Sequence, residues 1–140
     1  MNPMVRVQQR TSRDCAIAAL ATVTGLPYDA IIGYWPNDFS VNGTYGPALE
    51  AWLADNGFAV QKKTRFKGFG CGAVNEERTP WPPAPFCDRH LCHVEVAKDS
   101  PINHWSAMDR DGLILDPLFP DLKAIGEYYS VLAVWGIHRI

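Results

Sequence analysis

Gln9-Arg10-Thr11-Ser12-Arg13-Asp14-Cys15-Ala16-Ile17-Ala18-Ala19-Leu20-Ala21 is the stretch from which the fold reads outward. Its second half is alanine-rich, with Leu20 and Val23 on one face, and predicts a buried helix over Ala16 to Val23. Thr11 and Ser12 are good helix N-cap residues, and Asp14 would place negative charge in the first turn. Gly25 is a natural C-terminal stop, followed by Pro27. Cys15 would then open the helix, where unpaired backbone N–H groups favour an anion and so a thiolate.

Downstream, a short helix is expected over Tyr28 to Gly33, then a loop over Pro36 to Gly46. A third helix is expected over Pro47 to Asn56. Pro47 suits its first turn, and Leu49, Trp52 and Leu53 form an apolar face at i, i+3 and i+4. Phe58-Ala59-Val60 begins a strand. Gln61-Lys62-Lys63-Thr64-Arg65 reads as a solvated edge strand protected by charge. The C-terminal half is strand-like: His93 to Ala97, Trp105 to Asp109, Leu113 to Asp116 and Tyr129 to His138 carry β-branched and aromatic side chains. Arg110-Asp111-Gly112 is a tight hairpin turn, because Asp-Gly supplies positive φ. Helices first and sheet second predict an α+β fold, with helices packed on a twisted antiparallel sheet.

With 140 residues, 47% hydrophobic and 20% charged, residues 1–140 are expected to form one domain with a substantial core. Residues 66–93 read as a Cys- and Pro-rich inserted loop within it. A net charge of −2 argues against a non-specific nucleic-acid binder. No apolar run reaches the roughly 20 residues of a membrane span. Met1 to Arg10 lacks the apolar stretch of a signal peptide, which predicts a cytoplasmic protein whose four cysteines are thiols, metal ligands or catalysts.

Cys15, His104 and Asp116 form the first chemical constellation. A histidine near a thiol can hold it as thiolate. His104 precedes Trp105-Ser106-Ala107-Met108, and the hairpin turn returns the chain to Asp116 at the same end of the ribbon. A carboxylate there would accept the imidazole N–H and fix its tautomer. The Gln9 amide, near Cys15, could donate to a developing oxyanion. Together these residues predict a thiol hydrolase acting on a protein or peptide substrate, with no cofactor required for catalysis.

The pattern Gln9-x5-Cys15, within Gln-x4-Asp-Cys-x-x-Ala-x-Leu, resembles the signature of the bacteriocin-processing cysteine peptidases. These are papain-like domains that cleave double-glycine leader peptides. Gly43-Thr44 before the third helix, Gly57-Phe58 after it, His104-Trp105-Ser106-Ala107-Met108 and Leu115-Asp116-Pro117 are similar to further blocks of that family. Ala16 stands where the family usually carries glycine, and the chain would be a stand-alone form, without the usual transporter segment. The resemblance implies a papain-like fold, with Cys15 as nucleophile, His104 as base, Asp116 as its orienter and Gln9 as oxyanion donor. It also points to a bacterial or phage accessory peptidase; the rival reading is a protein of the same fold with an inactive triad that acts by binding.

A second cluster, Cys87-Asp88-Arg89-His90-Leu91-Cys92-His93 with Cys71 upstream, is dense in soft ligands. Cys71, Cys87, His90 and Cys92 would make a Cys3His structural zinc site stapling the loop. The alternative is three ordinary thiols. If that zinc site mattered most, the chain would be a zinc-stapled interaction module. Trp81, in Thr79-Pro80-Trp81-Pro82-Pro83, is the tryptophan expected to be exposed.

Overall fold

A computed structural model describes residues 4–33, 46–62, 66–67, 74–75, 87–96, 104–128 and 130–140. The expected loop over 36–45, the basic residues 63–65, Cys71 and Trp81 lie outside the described residues.

Helix α1 (Cys15–Thr24) is buried on every side. An alanine-rich helix offers no polar face, so it is stable only when covered all round. Its two threonines satisfy their hydroxyls internally: Thr22 Oγ1 donates to Ala18 O and Thr24 Oγ1 to Leu20 O. Gly25 ends the helix in the left-handed region at φ 76°, its N–H on Ala21 O. Helix α2 (Tyr28–Ile32) follows Pro27. Helix α3 (Gly46–Asp55) buries Leu49, Trp52 and Leu53, the face its spacing predicts.

The start of α1 differs from expectation. Asp14, not Thr11 or Ser12, is the N-cap residue, and no acidic residue lies in the first turn. The Asp14 carboxylate makes no cap bond to the helix. It turns back to accept the N–H groups of Arg10 and Thr11, the Thr11 hydroxyl and the Tyr28 hydroxyl. The four acceptor sites of one buried carboxylate are thus spent on closing the loop that leads to Cys15.

The main sheet is five-stranded and antiparallel. Its strands are β1 (Phe58–Lys62), β4 (Arg89–Glu95), β5 (His104–Asp109), β6 (Ile114–Leu115) and β7 (Ser130–Arg139), in the order β1-β7-β4-β5-β6. Two short strands, β2 (Phe66–Lys67) and β3 (Val74–Asn75), pair with each other inside the segment expected to be loop. The predicted hairpin forms around Gly112 at φ 86°, pairing Met108 with Ile114 and Ala107 with Leu115. Asp109 Oδ1 accepts the N–H groups of Asp111 and Leu113, which locks the turn.

Period-two alternation divides the sheet between two cores. Leu91, Trp105, Ala107, Trp135 and Ile137 pack with the helices. Cys92, Val94, Met108, Ile114, Val131 and Val134 face the other way. That second face is covered by the segment after β6, through Leu122, Ile125 and Tyr128. The helices therefore cover only one of two buried faces. Among the described residues, no helix is long and apolar enough to cross a membrane.

Candidate active site

Cys15 is the first residue of α1 and His104 the first residue of β5, and α1 packs chiefly on β5. The two therefore meet at one end of the helix–sheet interface. Asp116 follows β6 directly. Extending the β5–β6 register by one step puts Asp116 opposite Ser106, on the sheet face that His104 shares.

His104 Nε2 lies 3.0 Å from Asp116 Oδ1 and 2.9 Å from Oδ2. Cys15 lies near enough to this imidazole to favour its protonated form. With Nε2 on Asp116, Nδ1 is the ring nitrogen turned away from the carboxylate. Burial alone would lower the His104 pKa, but the hydrogen bonds and charges of Asp116 and Cys15 outweigh it and push it up to about 9. Burial alone would raise the Asp116 pKa, but His104, Tyr128 and the Phe119 N–H hold it below the ordinary carboxylate value. At neutral pH the ring is an imidazolium on a carboxylate, and Cys15 lies within its reach.

Asp116 is held from three further directions. Its Oδ1 accepts the N–H groups of Leu118 and Phe119 at 2.8 and 2.9 Å. Its Oδ2 lies 2.5 Å from the Tyr128 hydroxyl, which is also 2.6 Å from Ser106 Oγ. A phenol has one proton, so Tyr128 gives it to the carboxylate and accepts that of Ser106. Ser106, Tyr128, Asp116 and His104 thus form one chain of hydrogen bonds.

Gln9 is buried and tied to the same place, its backbone N–H donating to Pro117 O at 2.9 Å. Arg6 Nε donates to Asp116 O just beside it. The Gln9 side-chain Nε2 donates to Thr11 O at 2.7 Å, which uses one of its two N–H groups. Its Oε1 is the one buried side-chain polar atom without a partner among the described residues. Phe119 meets the His104 ring edge-on at 6.0 Å between centroids, and Tyr128 flanks it at 6.5 Å.

The structure thus brings together Cys15, His104 and Asp116, and places Gln9 on the segment that follows Asp116. The proposed zinc ligands are arranged otherwise. Strand β4 begins at Arg89, earlier than predicted, so His90 and Cys92 are strand residues. His90 Nε2 accepts the Cys87 N–H and its Nδ1 lies 3.3 Å from Met108 O, which occupies both ring nitrogens. Cys92 is packed in the second apolar core, where burial pushes its thiol pKa up. Cys87 Sγ lies 3.3 Å from His138 Nε2. Among the described residues no three His, Cys, Asp or Glu side chains are grouped to hold a metal, and Cys87, His90 and Cys92 are not an exception.

Sequence reasoning missed Ser106 and Tyr128. Ser106 was within reach, because it sits two residues from His104 and strand alternation puts both on one face. Tyr128 carried no local signal: it arrives from the 3-10 turn Ile125–Glu127 that precedes β7. The chain matches no protein-family model, no curated protein and no solved structure.

Proposed function

We propose that this protein is a papain-like cysteine peptidase, a thiol hydrolase that cleaves a peptide or isopeptide bond through Cys15, His104 and Asp116. The observation that carries the reading is that one buried imidazole is held on the Asp116 carboxylate at 2.9 Å, with Cys15 close enough to favour its protonated form. In this mechanism the attacking form is the Cys15 thiolate, with the protonated His104 ring beside it. The thiolate attacks the substrate carbonyl, and the oxyanion is held by the remaining Gln9 N–H and the Cys15 backbone N–H. His104 gives its proton to the departing amine, leaving a thioester. It then takes a proton from water, whose oxygen displaces the sulfur and releases the acid. Asp116 holds the ring in place throughout, and no step calls for a cofactor.

A second reading, the same fold acting only by binding, is favoured by the Gln9 amide being engaged on Thr11 O. One experiment separates the two. Native protein and the His104→Ala variant are screened against a quenched fluorescent peptide library, and Cys15 is followed by intact-mass spectrometry. Turnover by the native protein, with a thioester trapped on Cys15 and neither in the variant, supports the peptidase. Absence of turnover, with no adduct on Cys15, leaves the binding protein.

A further inference from the structure

A cavity of about 470 Å³ opens at the C-terminal end of α1, at the other end of the helix from Cys15. Ten helical residues put roughly 15 Å between the two places. The cavity has an apolar wall, formed by Val5, Val7, Ala21, Leu26 and Pro27. It also has three hydroxyls and two guanidinium groups.

The hydroxyls are already spent. Thr22 donates to Ala18 O and accepts the Val7 N–H. Thr24 donates to Leu20 O and accepts the Leu26 N–H. Tyr28 donates to Asp14. The guanidinium groups are not. Arg89 is only 6% exposed, and among the described residues its side chain makes one hydrogen bond, from Nη1 to Val23 O at 2.8 Å. Arg89 also lines the cavity. Arg139, also lining the cavity, lies over the Phe58 ring at 5.8 Å and has no ion pair among the described residues. Asp88, the carboxylate that supports Arg89 electrostatically, lies 3.7 Å from Arg110 instead.

We propose that this cavity is a binding site for a carboxylate carried on an aliphatic chain, held by Arg89 and Arg139 with its tail against the Val5, Val7 and Leu26 wall. A nearly buried guanidinium with unspent donors is costly unless an anion meets it. Guanidinium geometry suits a carboxylate, which can take two parallel N–H bonds. The apolar wall adds selectivity for a tail over a small inorganic anion. The carboxylate could be that of a free fatty acid or the C-terminus of a peptide ending in an aliphatic residue.

Calorimetric titration of the full chain with octanoate, with an acetylated tripeptide ending in leucine, with octylamine and with inorganic phosphate tests this. Amide shifts of Thr22, Gly25 and Leu26 in NMR report the location. Saturable binding of octanoate or of the peptide, at least about tenfold tighter than octylamine and phosphate, is expected. The tighter of the two acids identifies the source. Arg139→Gln, a surface change, should weaken it severalfold. Arg89→Gln also removes the bond to Val23 O, so its effect is read only if the folded fraction is unchanged. Equal binding of octylamine, equal binding of phosphate, shifts elsewhere, or no binding of either acid would overturn the proposal.

Discussion

The Asp116 carboxylate straddles His104 Nε2, at 3.0 Å from one oxygen and 2.9 Å from the other. An ion pair of this kind holds the ring in one orientation. Asp116→Asn keeps the shape but offers the ring a neutral amide. The expected result is a fall in kcat/KM on the order of 10³–10⁴, as for the orienting carboxylate of other triads. The His104 pKa should drop below about 9, read by NMR titration of its ring protons. An unchanged titration in this variant would remove Asp116 from the site.

Thiol reactivity is expected to separate Cys15 from the other described cysteines. Cys15, Cys87 and Cys92 are 9%, 7% and 0% exposed, so access alone hardly distinguishes the first two. Brief treatment with dilute iodoacetamide at pH 6, followed by peptide mass mapping, should label Cys15 well ahead of Cys87. His104→Ala should suppress that lead. Equal labelling of Cys15 and Cys87 in the native protein would count against an activated pair.

The His104–Asp116 pair also sets a pH window. The folded pKa of His104 is raised above its ordinary 6.5 to about 9, so its stabilising contribution is complete below 6.5 and is lost as pH rises through 9. Asp116 is depressed below 3.8, so its contribution is present above that value and is lost as pH falls through its folded pKa. Urea midpoints should therefore decline on both sides of this range, and the alkaline decline should vanish in His104→Ala. Hydrolysis should fall on the alkaline side near pH 9, as the acid that protonates the leaving amine is lost.

In the proposed mechanism Tyr128 and Ser106 act through Asp116. Tyr128→Phe removes the phenol proton from the carboxylate and leaves buried Ser106 without its acceptor, at a cost of about 1–3 kcal/mol in stability. The Asp116 pKa should rise, and kcat should fall by roughly tenfold, equivalent to about 1.4 kcal/mol, with KM little changed. Ser106→Ala keeps the Tyr128–Asp116 bond and should show the smaller effect. A KM effect without a kcat effect would indicate a merely structural role.

Gly25 ends α1 at φ 76°, and a Cβ there would meet no atom within 4 Å. The penalty of Gly25→Ala is therefore backbone strain alone, about 1–2 kcal/mol. Thermal unfolding should show this cost, with a smaller one for Gly25→Asn, and Cys15 labelling should be unaffected.

Local chemistry alone made much of this protein readable. An alanine run stopped by Gly25, the Leu49, Trp52 and Leu53 face, and Asp-Gly between two β-rich runs each specify an element through neighbours in the chain. The hairpin also carried His104 and Asp116 to one end of a ribbon, because strand pairing about a tight turn is geometry of a few residues. Only the tertiary structure decided what depends on distant segments. Asp14 closes the loop before Cys15 rather than capping α1, because Tyr28 and two backbone N–H groups reach its carboxylate first. His90 and Cys92 are absorbed into a strand and its core, because β4 starts early and pairs with both β5 and β7. Tyr128 reaches Asp116 because the segment after β6 folds over the second face of the sheet. Burial and register are sums over the whole chain, and no window of sequence contains them.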